Sequence, residues 1–147
     1  MAEYQHILYA TDLSDYALPV GERVIDVMRR NKAKLTLLHV VQEKDVGAGL
    51  EATVPIPGET DSRLVQEMRR RLSDLATQLG VADAEQVVVT SNSRGKQIRH
   101  VAEERGVDLI IVGSHGRHGL SLLWHDSTPN TVMHGATCDV LAVYIPR

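Results

Sequence analysis

Phenylalanine is absent from this chain of 147 residues, and aromatic residues together make up only 3% of it. Hydrophobic residues nevertheless amount to 43%, which is ordinary for a folded domain. We therefore expect a core built from aliphatic side chains. Chains of this length most often fold as one unit, so we assign residues 1–147 to a single domain.

Cysteine, excess positive charge and long apolar runs are also scarce or missing. The single cysteine, Cys138, excludes an intrachain disulfide and favours a reducing compartment. A formal net charge of -3 argues against a dedicated nucleic-acid-binding domain, which is usually basic. No apolar run approaches the roughly 20 residues of a membrane helix. Since no basic segment followed by an apolar run opens the chain, we expect a cytoplasmic protein without membrane insertion.

Short apolar runs alternate with amphipathic helical patterns along the chain, which predicts five strands and four helices. The predicted strands are residues 6–10, 35–41, 86–90, 109–112 and 139–145. The predicted N-caps are Ser14 or Asp15 for the first helix, Asp61 or Ser62 for the second, and Ser127 or Thr128 for the fourth, and the third helix is predicted to begin at Gly95. In the last helix we expect Val132 and Met133 to be buried. Because each strand-helix-strand unit makes a right-handed parallel crossover, the pattern predicts an α/β fold: a five-stranded open parallel sheet with helices on both faces.

Three loops follow the carboxyl ends of predicted strands: residues 11–14, residues from Val41 onward, and residues 113–119. Sheets of this class bind ligands at that edge, where the strand order reverses. The third loop has glycines at three-residue intervals, which let backbone N–H groups approach a ligand closely. A helix start is predicted soon after it, within residues 126–130. A strand, a glycine-rich loop and a helix N-terminus together predict a phosphate-binding site.

Two clusters of polar residues have simpler interpretations than ligand binding. His115, His118 and His125 could ligate zinc, but they have no thiol nearby and no metalloprotease spacing, so we predict no metal site. The run of arginines at 69–71 is predicted to be a solvated helix face. His39, in the second strand, is expected to be a hydrogen-bonded core or edge residue.

Four stretches together are highly specific: ILYATDLS at 7–14, LLHVV at 37–41, DLIIVGSHGRHG at 108–119 and ATCDVL at 136–141. With Ser127, Thr128, Asn130 and Val132, they make the chain resemble the universal stress proteins over essentially its full length. The resemblance implies the strand order 3-2-1-4-5. It also implies a homodimer paired through the last strand.

The same resemblance implies an adenine nucleotide site, for ATP or AMP, with the involvement of Mg²⁺ left open. In the ATP-binding branch of the family, Asp12 would hold the ribose hydroxyls, while Thr11 and the backbone near Val41 would surround adenine. The residues assigned to the phosphate end are Gly113, Gly116, Arg117, Asp126, Ser127 and Thr128. No general base is evident, so we predict a binding module rather than an enzyme, with slow ATP hydrolysis left open.

Asp126 departs from the family pattern, because the ATP-binding branch has its third glycine at this position. A carboxylate about 4 Å from a phosphate charge is repelled by about 4 kcal/mol at an effective dielectric near 20. Asp126 could instead point outward, share Mg²⁺ with the phosphates, or cap the helix in place of the anion. The resemblance therefore implies a nucleotide-binding regulatory module of the stress response. Its alternative is a dimer with a degraded phosphate cradle that acts through protein partners.

Overall fold

The computed structural model describes residues 3–43, 63–115 and 128–145, in which strands and helices alternate. The elements in chain order are β1 (His6–Ala10), α1 (Ala17–Asn31), β2 (Lys34–Gln42), α2 (Arg63–Gln78), β3 (Glu85–Ser91), α3 (Arg94–Glu104), β4 (Leu109–His115), α4 (Thr128–Gly135) and β5 (Asp139–Ile145). The strands form one sheet in the order β3-β2-β1-β4-β5, and all four pairings are parallel. The predicted fold class and strand order are confirmed.

Helices cover both faces of the sheet, and successive residues of the central strand alternate between them. Ile7 and Tyr9 of β1 pack with α1 and α2, whereas Leu8 and Ala10 pack with α3 and α4. All of β1 is buried, as expected for a central strand of a parallel sheet. The Tyr9 hydroxyl donates a hydrogen bond to the carbonyl of Ala17 over 2.7 Å, which ties the start of α1 to β1.

Helix α1 begins at Ala17 with Tyr16 as its N-cap, instead of the predicted Ser14 or Asp15. The Ser14 hydroxyl accepts a hydrogen bond from the Tyr16 N–H, and the Ser14 carbonyl accepts one from the Ala17 N–H. Side chains that bond the backbone two residues further on favour turns over helix. Ser14 therefore belongs to a turn that precedes the helix. The predicted start of α2 at Asp61 or Ser62 and residues 44–60 of the predicted long loop lie outside the described residues.

Two predictions near the end of the chain are wrong. Strand β4 continues through Gly113 to His115 instead of ending at Val112, because residues 113–115 pair with residues 143–145 of β5. Met133 is 54% exposed, although Val132 beside it is fully buried. Neighbouring residues of a helix point about 100° apart, so only one of the two faces the sheet. Among the described helices, none has the length and apolar character needed to cross a membrane.

Candidate functional site

The order of the strands reverses at the carboxyl end of β1, which lies between β2 and β4. Ala10, the last residue of β1, pairs with Leu38 on one side and with Val112 on the other. Thr11 and Asp12 follow directly, so they lie at the carboxyl edge between β2 on one side and β4 on the other. Open α/β sheets form their ligand crevices at such a point.

Three more predicted site residues lie within the described part of the chain. Val41 is the second-last residue of β2 and is buried. Gly113 lies in β4 and pairs with Val143. Thr128 is the first residue of α4. The other residues assigned to the phosphate end, Gly116, Arg117, Asp126 and Ser127, lie outside the described residues.

The turn after β1, residues 11–14, is fixed by its own side chains. The Thr11 hydroxyl accepts a hydrogen bond from the Leu13 N–H at 3.1 Å, and Oδ1 of Asp12 accepts one from the Ser14 N–H at 2.9 Å. Leu13 has a left-handed backbone with φ 57°, and its side chain is buried. This conformation costs a residue other than glycine about 1–2 kcal/mol, so the surrounding contacts must stabilise it. The strain lies next to the carboxylate of Asp12.

His39 of β2 holds the turn from the neighbouring strand. Its Nδ1 donates to the carbonyl of Thr11 at 2.8 Å, and because a carbonyl only accepts, Nδ1 must bear the hydrogen. Burial is the main reason that the pKa of His39 is lowered; the hydrogen bond to Thr11 opposes the shift, and the nearby Arg94 adds to it. The shift favours the neutral imidazole. The prediction that His39 is a hydrogen-bonded core residue is confirmed.

Three polar side chains at this edge were not predicted. Arg94 begins α3 shortly after the end of β3 and is only 4% exposed, although it is charged. Gln42 ends β2, and its buried Oε1 has no hydrogen-bond partner in the described part of the chain. Nη2 of Arg71, in α2, donates to the carbonyl of Leu13 at 2.6 Å. The positions of Gln42 and Arg94 at strand ends could have indicated them, whereas nothing in the sequence points to Arg71.

Arg70, the residue before Arg71, lies on the solvated helix face that was predicted. Arg70 is exposed and pairs with Glu67 and with Asp74, one turn away on either side. Such surface pairs on a helix contribute about 0.3–0.5 kcal/mol each. Arg71 is different because its guanidinium leaves that face and reaches the turn after β1.

No group of three or more metal-ligating side chains occurs among the residues that the structure describes. Of the three histidines considered as zinc ligands, His118 and His125 lie outside those residues. Among the described residues, the polar groups at the carboxyl edge include a carboxylate, an amide, two guanidinium groups, an imidazole, a threonine hydroxyl and backbone atoms. This set is suited to binding a polar ligand through hydrogen bonds.

The model of the universal stress protein family matches residues 3–144. The chain is 37% identical to universal stress protein A homolog 1 of Coxiella burnetii over 142 residues, which is 97% of each chain. It is also 37% identical to homolog 2 of the same organism, over 99% of this chain and 98% of the relative.

Solved structures support the fold. A universal stress protein in complex with cAMP has a TM-score of 0.68 at 21% identity and covers 97% of this chain and 98% of its own. The universal stress protein of Archaeoglobus fulgidus in complex with dAMP has a TM-score of 0.66 at 19% identity, over 96% of this chain and 98% of its own.

Proposed function

This chain belongs to the universal stress protein family, and from that premise we propose that it is a nucleotide-binding regulatory module of the stress response, with ATP or AMP as its ligand. The observation on which the proposal depends is the meeting of Thr11, Asp12, Val41 and Gly113 at the edge where the strand order reverses. Two proteins of the same fold were solved with cAMP and with dAMP, both adenine nucleotides.

The described groups fit such a ligand in chemical type. The carboxylate of Asp12 is an acceptor suited to ribose hydroxyls, and charged acceptors make the stronger hydrogen bonds. Backbone groups near Thr11 and Val41 offer the donors and acceptors that the edge of a base requires. Gln42 adds a buried amide oxygen that accepts no hydrogen bond from the described residues, and buried polar atoms are normally satisfied.

We assign the phosphate end to residues 116–117 and 126–128 together with Gly113, by their match to the family motif. Asp126 determines how strongly this end contributes, because it places a carboxylate where the ATP-binding branch has glycine. If it repels the phosphates, adenosine should bind nearly as well as ATP. If it shares Mg²⁺ with them, ATP should bind better when the metal is present.

Isothermal titration calorimetry with ATP, AMP and adenosine tests the proposal. Asp12→Ala should weaken all three ligands by about tenfold to a hundredfold, because a hydrogen bond to a charged group contributes about 1.5–3 kcal/mol. Asp15→Ala is the matched control, since Asp15 is an exposed carboxylate in the same connection. Unchanged affinity of Asp12→Ala for both ATP and adenosine would remove Asp12 from the site.

Asp126→Gly extends the same titrations to the phosphate end. Without metal, this variant should bind ATP about tenfold more tightly, a difference of about 1.4 kcal/mol, while adenosine should be nearly indifferent to the change. Equal ATP affinities would mean that Asp126 does not act on the phosphates. If neither the wild type nor the variant binds any of the ligands, the nucleotide proposal fails in favour of a dimer with a degraded cradle that acts through protein partners.

We also propose a homodimer formed through β5. This strand is at the edge of the sheet, and its apolar side chains Leu141 and Tyr144 are 38% and 59% exposed. Proteins usually pair or cover such an edge, because an open one favours aggregation. Light scattering should give the mass of a dimer at micromolar concentration, and Tyr144→Lys should shift the equilibrium towards monomer. A stable wild-type monomer would contradict this proposal.

A further inference from the structure

We propose that Arg71 of α2 is a positioning residue for Asp12: its guanidinium fixes the backbone of the turn after β1, and the turn in turn fixes the Asp12 carboxylate. The proposal rests on the nucleotide site proposed above and adds a second structural element to it. It assigns to α2 an indirect part in ligand binding, through Arg71 and the turn.

A single peptide group connects the two side chains. The carbonyl of Leu13 accepts a hydrogen bond from Nη2 of Arg71 at 2.6 Å. The N–H of Ser14, which belongs to the same peptide plane, donates to Oδ1 of Asp12 at 2.9 Å. A charged donor on the carbonyl polarises the peptide and strengthens its N–H as a donor. Arg71 therefore sets the orientation of the group that holds Asp12.

The backbone of Leu13 needs such support. With φ 57° it occupies a region that bulky residues rarely adopt, and such conformations persist only where the surroundings fix them. Within the turn, the Thr11 hydroxyl holds the Leu13 N–H. From outside the turn, Arg71 holds its carbonyl. Loss of the Arg71 contact would allow the peptide to rotate and would move the Ser14 N–H away from Asp12.

The packing beside the turn makes this contact more important. An open cleft of about 270 Å³ lies between the turn and α2, and Leu13, Arg71, Asp74 and Gln78 are among its lining residues. The turn is thus not tightly packed against α2 on this side. The turn and α2 are instead connected on this side by the hydrogen bond from the Arg71 guanidinium to the Leu13 carbonyl.

Arg70 supplies a matched control. It is the preceding residue of the same helix, has the same charge, and pairs with Glu67 and Asp74 on the exposed face. Arg70→Met and Arg71→Met remove the same charge from adjacent positions, but only the second removes the contact with Leu13. Arg71→Lys keeps the charge and can restore one hydrogen bond to the carbonyl.

Amide hydrogen exchange of the ligand-free protein tests the structural part of the proposal. In Arg71→Met the Ser14 amide should exchange about tenfold faster than in the wild type, as expected for weakening a hydrogen bond within a locally opening segment. Arg71→Lys should recover part of the protection, and Arg70→Met should match the wild type. Unchanged exchange at Ser14 in Arg71→Met, or an equal change in Arg70→Met, would overturn the proposal.

Adenosine titration tests the functional part, because adenosine is uncharged and is insensitive to the loss of a distant cation. Arg71→Met should bind adenosine about tenfold more weakly, and Arg71→Lys should recover part of the affinity. In the Asp12→Ala background, Arg71→Met should have no further effect. Equal adenosine affinity of the wild type and Arg71→Met would overturn the positioning role while leaving the nucleotide site intact. If the wild type binds no nucleotide, the proposed function fails. The positioning role of Arg71 in ligand binding then fails as well, even if the Ser14 amide exchanges faster in Arg71→Met.

Discussion

At the amino edge of the sheet, side chains of neighbouring strands form hydrogen bonds with one another, whereas at the carboxyl edge side chains bond the backbone of a turn. On the amino side, Nε2 of His6 lies 2.8 Å from the Thr36 hydroxyl, which donates to Glu85 at 3.1 Å. Glu85 in turn pairs with Arg105 at the surface, and this hydrogen bond is the main reason that the pKa of Glu85 is lowered. Each group has a partner on a neighbouring element.

The polar groups of the carboxyl edge are arranged differently. Asp12 and His39 bond the backbone of a turn that contains a strained residue, Leu13. Strained backbone and buried polar groups occur together at functional sites, where the rest of the fold stabilises them. We therefore expect the amino edge to contribute mainly to stability and the carboxyl edge to contribute mainly to the proposed ligand site. Substitutions at the two edges should therefore have different effects.

The substitution Thr36→Val should show most clearly that the two edges have different roles. Thr36 is fully buried, and valine has nearly the same shape but no hydroxyl. Nε2 of His6 therefore loses its hydrogen bond to the Thr36 hydroxyl. The variant should be less stable by about 1–3 kcal/mol in denaturant unfolding, as expected for a buried polar group without a partner. Its affinity for adenosine should remain that of the wild type.

Thr77→Val is the control for this substitution, because the Thr77 hydroxyl bonds the Ser73 carbonyl on an exposed helix face. Its stability should lie within about 0.5 kcal/mol of the wild type. Weakened adenosine binding in Thr36→Val without loss of stability would mean that the amino edge also serves the ligand. The division between the edges would then be wrong.

The sequence was sufficient to predict the fold because the signals for it are local and repeated. Apolar runs and helical spacing predicted every strand and helix, and β1 and β5 have the predicted bounds. The meeting of Thr11, Asp12 and Gly113 also follows from topology, since the carboxyl ends of parallel strands share one edge. The strand order itself came from the resemblance to the universal stress proteins.

Some of the predictions that failed depend on contacts between distant parts of the chain, and others on local geometry. β4 is longer than predicted because Gly113 and the two residues after it pair with β5, and glycine alone indicated a loop. Met133 is exposed because the helix has only one buried face. Arg71 resembles Arg70 in sequence, and only the fold brings it to Leu13. Helical spacing indicates which face is buried, but not what a long side chain at the border of that face will reach.

A smaller expected effect is a pH dependence of the free energy of unfolding. It tests whether His39 connects β2 to the turn after β1. Burial lowers the pKa of His39 from its ordinary value of 6.5; among its charged neighbours, Arg94 and Arg71 add to the shift and Asp12 opposes it. Below about pH 6.5 the unfolded chain therefore binds a proton that the folded protein does not, so the free energy of unfolding falls as the pH decreases. Above that pH the contribution of His39 to stability is constant.

His39→Gln should remove this part of the pH dependence, because an amide can donate to the Thr11 carbonyl without titrating. The measurement is denaturant unfolding of the wild type and the variant at about pH 7.5 and pH 5.5, on either side of the ordinary histidine pKa. His100→Gln is the matched control, since His100 is an exposed histidine on α3. If the wild type and His39→Gln lose the same stability between the two pH values, protonation of His39 does not disturb the turn. The carboxyl edge would then depend on Arg71 and Thr11 rather than on a neutral imidazole for the position of Asp12.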